Sequence, residues 1–264
     1  MEKIKLSAVS YLNTKPFLYG LFKSPLANRL QLSLDIPSIC AEKLSSGEVD
    51  LALVPVAVMA QLPQAQIVSD YCIGTLGAVK TVCIYSERPL DQMTSLYLDH
   101  HSRTSVALSK ILLREYWQVK VNYLQAEEGY IQKIGGTTAG LVIGDRTIGL
   151  QDRFEYVYDL GEAWLAHTGL PFVFAAWLSL HPLDPVFLAA FNQALAKGVE
   201  EIPQLIYLLP NPHPDFDLQD YFTHNISYEL DEAKKEALAL FLQKMKDTEA
   251  IGKAKDRMLN SPIV

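Results

Sequence analysis

Residues 7–20, SAVSYLNTKPFLYG, decide how this chain folds. An alternating apolar run, Ile4, Leu6 and Ala8, leads into them with the period of a strand. The character then changes. Ser10, Asn13 and Thr14 cluster together, and Pro16 opens an apolar segment of Phe17, Leu18 and Tyr19. Proline is tolerated in the first turn of a helix, where its missing N–H would have had no partner. The stretch therefore reads as strand, polar loop and helix start. In an open α/β sheet, ligands bind in the crevice beyond the strand carboxyl ends. That makes Ser10 and Asn13 candidate binding residues, since an amide donates and accepts and hydroxyls do both. Ordinary helix capping by Asn13 or Thr14 is the alternative.

Working outward, residues 31–36 (QLSLDI) alternate as a second strand closed by Pro37, and a short helical pattern runs from Ser38 to Gly47. Residues 49–58 (VDLALVPVAV) are apolar on both faces, as a central parallel strand is. Pro55 cannot donate to a ladder, so the strand ends or loosens there and its loop lies beside the opening loop. That proximity makes Pro55 a candidate lining residue. Residues 67–70 and 73–86 bring further strand signals. Beyond Pro89, strands at 96–99, 119–123 and 139–143 and an amphipathic helix carrying Val106, Leu108, Ile111, Leu112 and Leu113 form a second α/β unit. Residues 171–180 (PFVFAAWLSL) read as a crossing back to the first unit, and helices follow at 185–197 and 231–245. The intervening LPNPHPDFDLQ is a Pro-rich loop without evident chemistry. The expected architecture is two α/β lobes, residues 1–88 with 171–264 and residues 89–170, joined by two extended crossings around a ligand cleft.

A length of 264 residues allows one large domain or two small ones. The net charge of −7 argues against a nucleic-acid surface, which needs a basic field, but leaves room for a small anion held at helix N-termini. Cys40, Cys72 and Cys83 show no CxxC or Cys/His metal spacing and read as free buried thiols in a reducing compartment. MEKIKLSAVS lacks a signal-peptide pattern, and no apolar run is long enough to span a bilayer. A cytoplasmic protein with no membrane partner is expected; oligomeric state does not follow.

Residues 99–105, DHHSRTS, are the second stretch of interest. Ser102, Thr104 and Ser105 sit where a helix begins, and hydroxyls with free backbone N–H groups make a carboxylate cradle. Arg103 can add a charge-assisted bond or point to solvent; one N-cap would explain only one of the hydroxyls. His100 and His101 are adjacent, so their side chains are expected to diverge, and no metal site is expected. His167 is a candidate cleft residue without a visible Ser or Cys partner. Thr81 lies in the first crossing and could face the cleft. Asp145 follows an apolar strand as a helix cap or as an acceptor for a ligand hydroxyl. No GxSxG, HExxH, P-loop or GxGxxG occurs.

Taken in order, VSYLNTKPF, SGEVDLALVPVA, DHHSRTSVAL, GLVIGD and DLGEAWLAHTGLPFVFAAW resemble the chorismate dehydratases of the futalosine route to menaquinone. The C-terminal third matches only in general helical character. The resemblance implies a type II periplasmic-binding-protein fold used as a cytoplasmic lyase. It also implies conversion of chorismate to 3-[(1-carboxyvinyl)oxy]benzoate with loss of water and without a cofactor. It places the family's catalytic groups on Asn13 and on Thr81, where some members carry Ser, and its substrate-carboxylate loop on Ser102–Arg103–Thr104–Ser105. A 1,4-dihydroxy-6-naphthoate synthase of the same fold and a non-enzymatic solute-binding protein are the alternatives.

Overall fold

The computed structural model describes residues 3–259. β1 (Ile4–Val9) leads through a 3-10 turn at Leu12–Thr14 into α1 (Lys15–Lys23), with Pro16 in its first turn. β2 (Leu30–Asp35) and α2 (Pro37–Ser45) precede β3 (Leu51–Pro55), in which every residue is buried. The apolar run continues past Pro55, but the chain coils into a 3-10 turn at Val56–Ala60, because proline cannot extend the ladder. β4 (Gln66–Thr75) and β5 (Val82–Ser86) come next, followed by β6 (Ser95–Leu98), α3 (Arg103–Glu115), β7 (Asn122–Gln125), β8 (Thr138–Ile143), β9 (Tyr156–Asp159) and α4 (Leu160–Thr168). β10 (Phe172–Ser179), α5 (Pro185–Glu200), α6 (Ile202–Ile206), α7 (Leu218–Asp220), β11 (Ser227–Glu229) and α8 (Glu232–Leu259) complete the chain.

Two mixed sheets result, ordered β11-β4-β10-β3-β1-β2 and β7-β6-β8-β5-β9. Two expectations change. β10 is not a crossing strand: it lies antiparallel between β3 and β4 with all its residues buried, which is why it is apolar throughout. The connections between the sheets are instead short, at 76–81 and 169–171. β5 pairs with β8 and β9, so the expected lobe boundary at residue 88 puts this strand with the wrong sheet. Residues 1–2 and 260–264 of the expected first lobe lie outside the described residues.

Asp159 grips the 76–81 connection. Asp159 caps α4 through Gly161 N–H (2.8 Å) and Glu162 N–H (3.1 Å), and also accepts from Val79 N–H (3.1 Å) and Lys80 N–H (2.7 Å). Lys80 has φ +62°, a left-handed conformation that an L side chain adopts only when its surroundings impose it. Asp159 supplies that imposition.

α1, which carries the opening loop, is fixed against α5 by two glycines. A Cβ on Gly198 would stand 1.9 Å from the Pro16 carbonyl oxygen, and one on Gly20 would stand 2.0 Å from that of Ala194. Gly198→Ala is therefore expected to destabilise the protein by about 1–3 kcal/mol through overpacking. Urea denaturation would show this as a lower midpoint; an unchanged midpoint would mean that the helices do not approach this closely.

Candidate functional site

The carboxyl ends of β1 and β3 in one sheet and of β6 and β8 in the other open onto a common cleft. A cavity of about 50 Å³ lies there, room for a small number of waters. Its walls include Tyr11, Asn13, Pro55, Thr81, Ser102, Ser105, Gly144 and Phe174. The starts of three helices border it: Asn13 precedes α1, Pro37 opens α2, and Ser102 caps α3. Helix starts carry unpaired N–H groups and a partial positive charge. Among the described residues lining the cavity there is no carboxylate, histidine, lysine or arginine.

Asn13 sits inside the 3-10 turn rather than at a cap, and neither Asn13 nor Thr14 makes a side-chain capping bond. The capping alternative is thus not what the structure shows. The Asn13 backbone oxygen accepts from the Tyr228 hydroxyl (3.0 Å), which pins the loop from behind. Thr81, 1 % exposed, has its hydroxyl 3.0 Å from that of Tyr221, and its backbone oxygen accepts from Gly144 N–H (2.8 Å). Ser102 is the N-cap of α3, accepting from Ser105 N–H (3.2 Å), and the two hydroxyls are 3.1 Å apart. Ser102, Ser105 and Pro55 line the cavity as expected.

Other expected residues lie elsewhere. Ser10 is exposed and off the cavity; only its backbone is engaged, with N–H donating to Asp35 O (2.9 Å). Arg103 occupies the outer face of α3, exposed, and donates to Gln61 Oε1 (2.7 Å). Thr104 is fully buried but turned away from the cavity: its hydroxyl accepts from Ala57 N–H (3.1 Å), tying α3 to the turn after β3. His167, near the end of α4, stands 3.5 Å from Glu115 and packs near Tyr116, away from the cavity. Asp145 neither caps a helix through its side chain nor lines the cavity. Its two carboxylate oxygens each accept from Leu12 N–H at 3.0 Å, a bond from one lobe to the other. Desolvation pushes its pKa up, opposed by that N–H and by Lys15.

Several residues that shape the site were not among the expected site residues. Asp99 is buried and accepts from His101 N–H (2.9 Å), Tyr130 OH (2.9 Å), Ile143 N–H (3.1 Å) and the Arg146 guanidinium. The Tyr11 hydroxyl reaches this group from the other lobe, 2.9 Å from His101 Nδ1. Gly144 is required twice over: φ is +66°, and a Cβ would stand 2.5 Å from the Tyr11 ring. A glycine directly after an apolar strand was the available clue. Tyr221 and Tyr228 left none.

The His100 and His101 rings do not diverge; they lie edge to face with centroids 4.5 Å apart. Ligand-type atoms of Asp99, His100 and His101 fall within 4.8 Å of one another, yet Asp99 is bonded to Arg146 and Tyr130 and His101 Nδ1 to Tyr11. The cluster works as a hydrogen-bond hub.

Burial, reinforced by the Arg146 charge, holds the His101 pKa below its ordinary value of 6.5. The folded ring therefore stays neutral, able to accept from Tyr11, at pH values where the unfolded chain is already protonated. Its contribution to stability is complete above about pH 6.5 and shrinks as the pH falls from there towards the folded pKa. Urea denaturation across that window should show the wild type losing more stability than His101→Gln. Equal losses would mean that His101 is not the source.

The Menaquinone biosynthesis family model matches residues 4–247. Chorismate dehydratase of Thermus thermophilus is 27% identical over 261 residues, covering 87% of this chain and 95% of its own. Among solved structures, a protein from Archaeoglobus fulgidus superposes with a TM-score of 0.70 at 16% identity, covering 94% of this chain and 98% of its own. A Candida albicans protein described as having the generic periplasmic binding protein fold gives 0.64 at 12% identity, covering 95% and 91%. The two α/β lobes are thus of the periplasmic-binding-protein type, as the sequence led one to expect. No described helix is long and apolar enough to cross a membrane. A match running from the first strand into the last helix shows that the chain belongs to the menaquinone-biosynthesis family.

Proposed function

We propose that this protein dehydrates chorismate to 3-[(1-carboxyvinyl)oxy]benzoate in the cytoplasm, by substrate-assisted catalysis and without a cofactor. The observation that carries the reading is the cavity wall itself: hydroxyls, an amide and three helix starts, with no side chain able to act as a base at neutral pH. Tyr11, the one titratable group there, is pushed above its ordinary pKa, chiefly by burial, and keeps its proton. Two carboxylates suit helix starts in a protein of net charge −7. The Thermus thermophilus relative, described as a chorismate dehydratase, supports the same substrate.

The chemistry balances without a protein base. The enolpyruvyl carboxylate removes the ring hydrogen beside the ether oxygen. The released electron pair becomes the new ring double bond, and the neighbouring C–O bond breaks. The departing hydroxide takes up that proton and leaves as water, and aromatisation drives the step. Asn13 and Thr81 hold the reacting groups, and Ser102, Ser105 and the α3 start hold a carboxylate; the protein contributes position. The substrate is larger than the cavity in this closed arrangement, so the lobes part to admit it.

Incubation with chorismate should yield the aromatic product. Asn13→Ala and Thr81→Val should each lower kcat by about 10²-fold or more, as loss of a positioned polar group does. His167→Ala, distant from the cavity, should turn over like the parent. If His167→Ala alone abolished turnover while chorismate still bound, substrate assistance would be wrong.

A further inference from the structure

The segment around residues 220–228 had no role in the sequence reading, yet it grips the most buried hydroxyl of the site. Lys80 Nζ and Asp220 are 2.6 Å apart, Asn225 Nδ2 donates to Ala78 O (3.0 Å), and the Tyr221 hydroxyl lies 3.0 Å from Thr81 Oγ1. These three bonds clamp the connection between the sheets to Asp220 and the π-helical turn that follows it at Tyr221–Asn225, a rare geometry that recurs at functional sites. The Tyr221 ring is 1 % exposed and is wedged against Phe216 (5.1 Å between centroids) and Phe222 (5.5 Å). Its hydroxyl therefore has little freedom. Thr81 lines the cavity; Tyr221 stands behind it.

A threonine hydroxyl has one proton to give and two lone pairs to offer. The other protein acceptor near Thr81 Oγ1, Val79 O, is at 3.4 Å, a poor bond. We infer that Tyr221 is a positioning residue: its phenol donates to Thr81 Oγ1 and so leaves the Thr81 proton directed at a ligand oxygen in the cavity. Burial keeps the phenol protonated, as a donor must be. Without this bond the Thr81 hydroxyl would spend its proton on Val79 O or on a rotamer facing away. The inference deepens the chorismate reading and rests on it.

The test is a double-mutant cycle in kcat and KM on the full chain with chorismate. Tyr221→Phe should lower kcat about tenfold, the size expected for one oriented hydrogen bond, with KM within twofold and Tm close to the parent. In a Thr81→Val background the same change should cost nothing further, because two groups acting as a unit do not add. Losses that multiply would overturn the role, as would a kcat for Tyr221→Phe equal to the parent's, or a rise in KM with kcat unchanged. Should the Phe variant fail to fold, 3-fluorotyrosine at position 221, a stronger donor of similar shape, must shift kcat by at least twofold with KM unchanged; an unaltered kcat refutes the assignment. The parent protein in the same assay separates the two claims. If it leaves chorismate untouched, the functional reading falls and this one with it; if it is active and the losses multiply, only the role of Tyr221 falls.

Discussion

The cleft rests on a buried charge. Asp99 has no solvent to hydrate it, and a carboxylate in that position is tolerable only when charge and hydrogen bonds replace the water. Its partners come from several segments of the second lobe: the entrance of α3 through His101, the last residue of β8 through Ile143, the 3-10 turn beyond it through Arg146, and Tyr130. Satisfying one carboxylate therefore fixes where the chain turns into Ser102 and where it turns into Gly144. Removing Arg146 would leave that charge uncompensated and loosen both turns together.

The contacts made across the cleft differ in kind from those behind it. In front, the lobes meet through the Asp145 carboxylate on Leu12 N–H and through Tyr11 on His101. Each is a polar bond that water can replace on opening, at small net cost. Behind, Trp164 of α4, Phe172 of β10 and Phe241 of α8 pack edge to face with centroids 5.1–6.2 Å apart. α8 is further tied to α3 by Lys244 on Glu115 and by Thr248 on Arg114 (2.7 Å). Parting the lobes there would expose large aromatic surface, worth several kcal/mol at about 25 cal/mol per Å². The motion favoured by this asymmetry opens the front and keeps the back closed.

How far the site could be read from sequence follows from the range of the interactions involved. The β1–loop–α1 unit is local, and so is the capping of α3 by Ser102; both were legible, and with them Asn13, Ser102 and Ser105. Direction around a helix was harder to read. Arg103 and Thr104 are neighbours of Ser102 and Ser105, but at 3.6 residues per turn they leave on other faces, and only tertiary packing says which face meets the cleft. α4 was missed because its apolar residues show little periodicity, although Asp159 before it and Gly169 after it, at φ +73°, are ordinary start and stop signals. His167, expected in the cleft, lies near the end of that helix instead. Tyr221 lies 140 residues from Thr81, and nothing local to either announces the pairing.

Thr81 is where these constraints meet. It stands at the last residue before β5, on the connection between the sheets, one position beyond a lysine forced into the left-handed region. Its backbone oxygen is held by Gly144 of the second lobe and its hydroxyl by Tyr221 of the C-terminal segment. A site with its own base could tolerate some looseness there, because proton transfer would be driven by the base's pKa. A site that relies on a carboxylate of its substrate has only geometry to contribute, and small misplacements of a hydroxyl then translate directly into lost rate. The density of bonds around Thr81, Asn13 and Ser102, in a cavity with almost no titratable groups, is what such a division of labour requires.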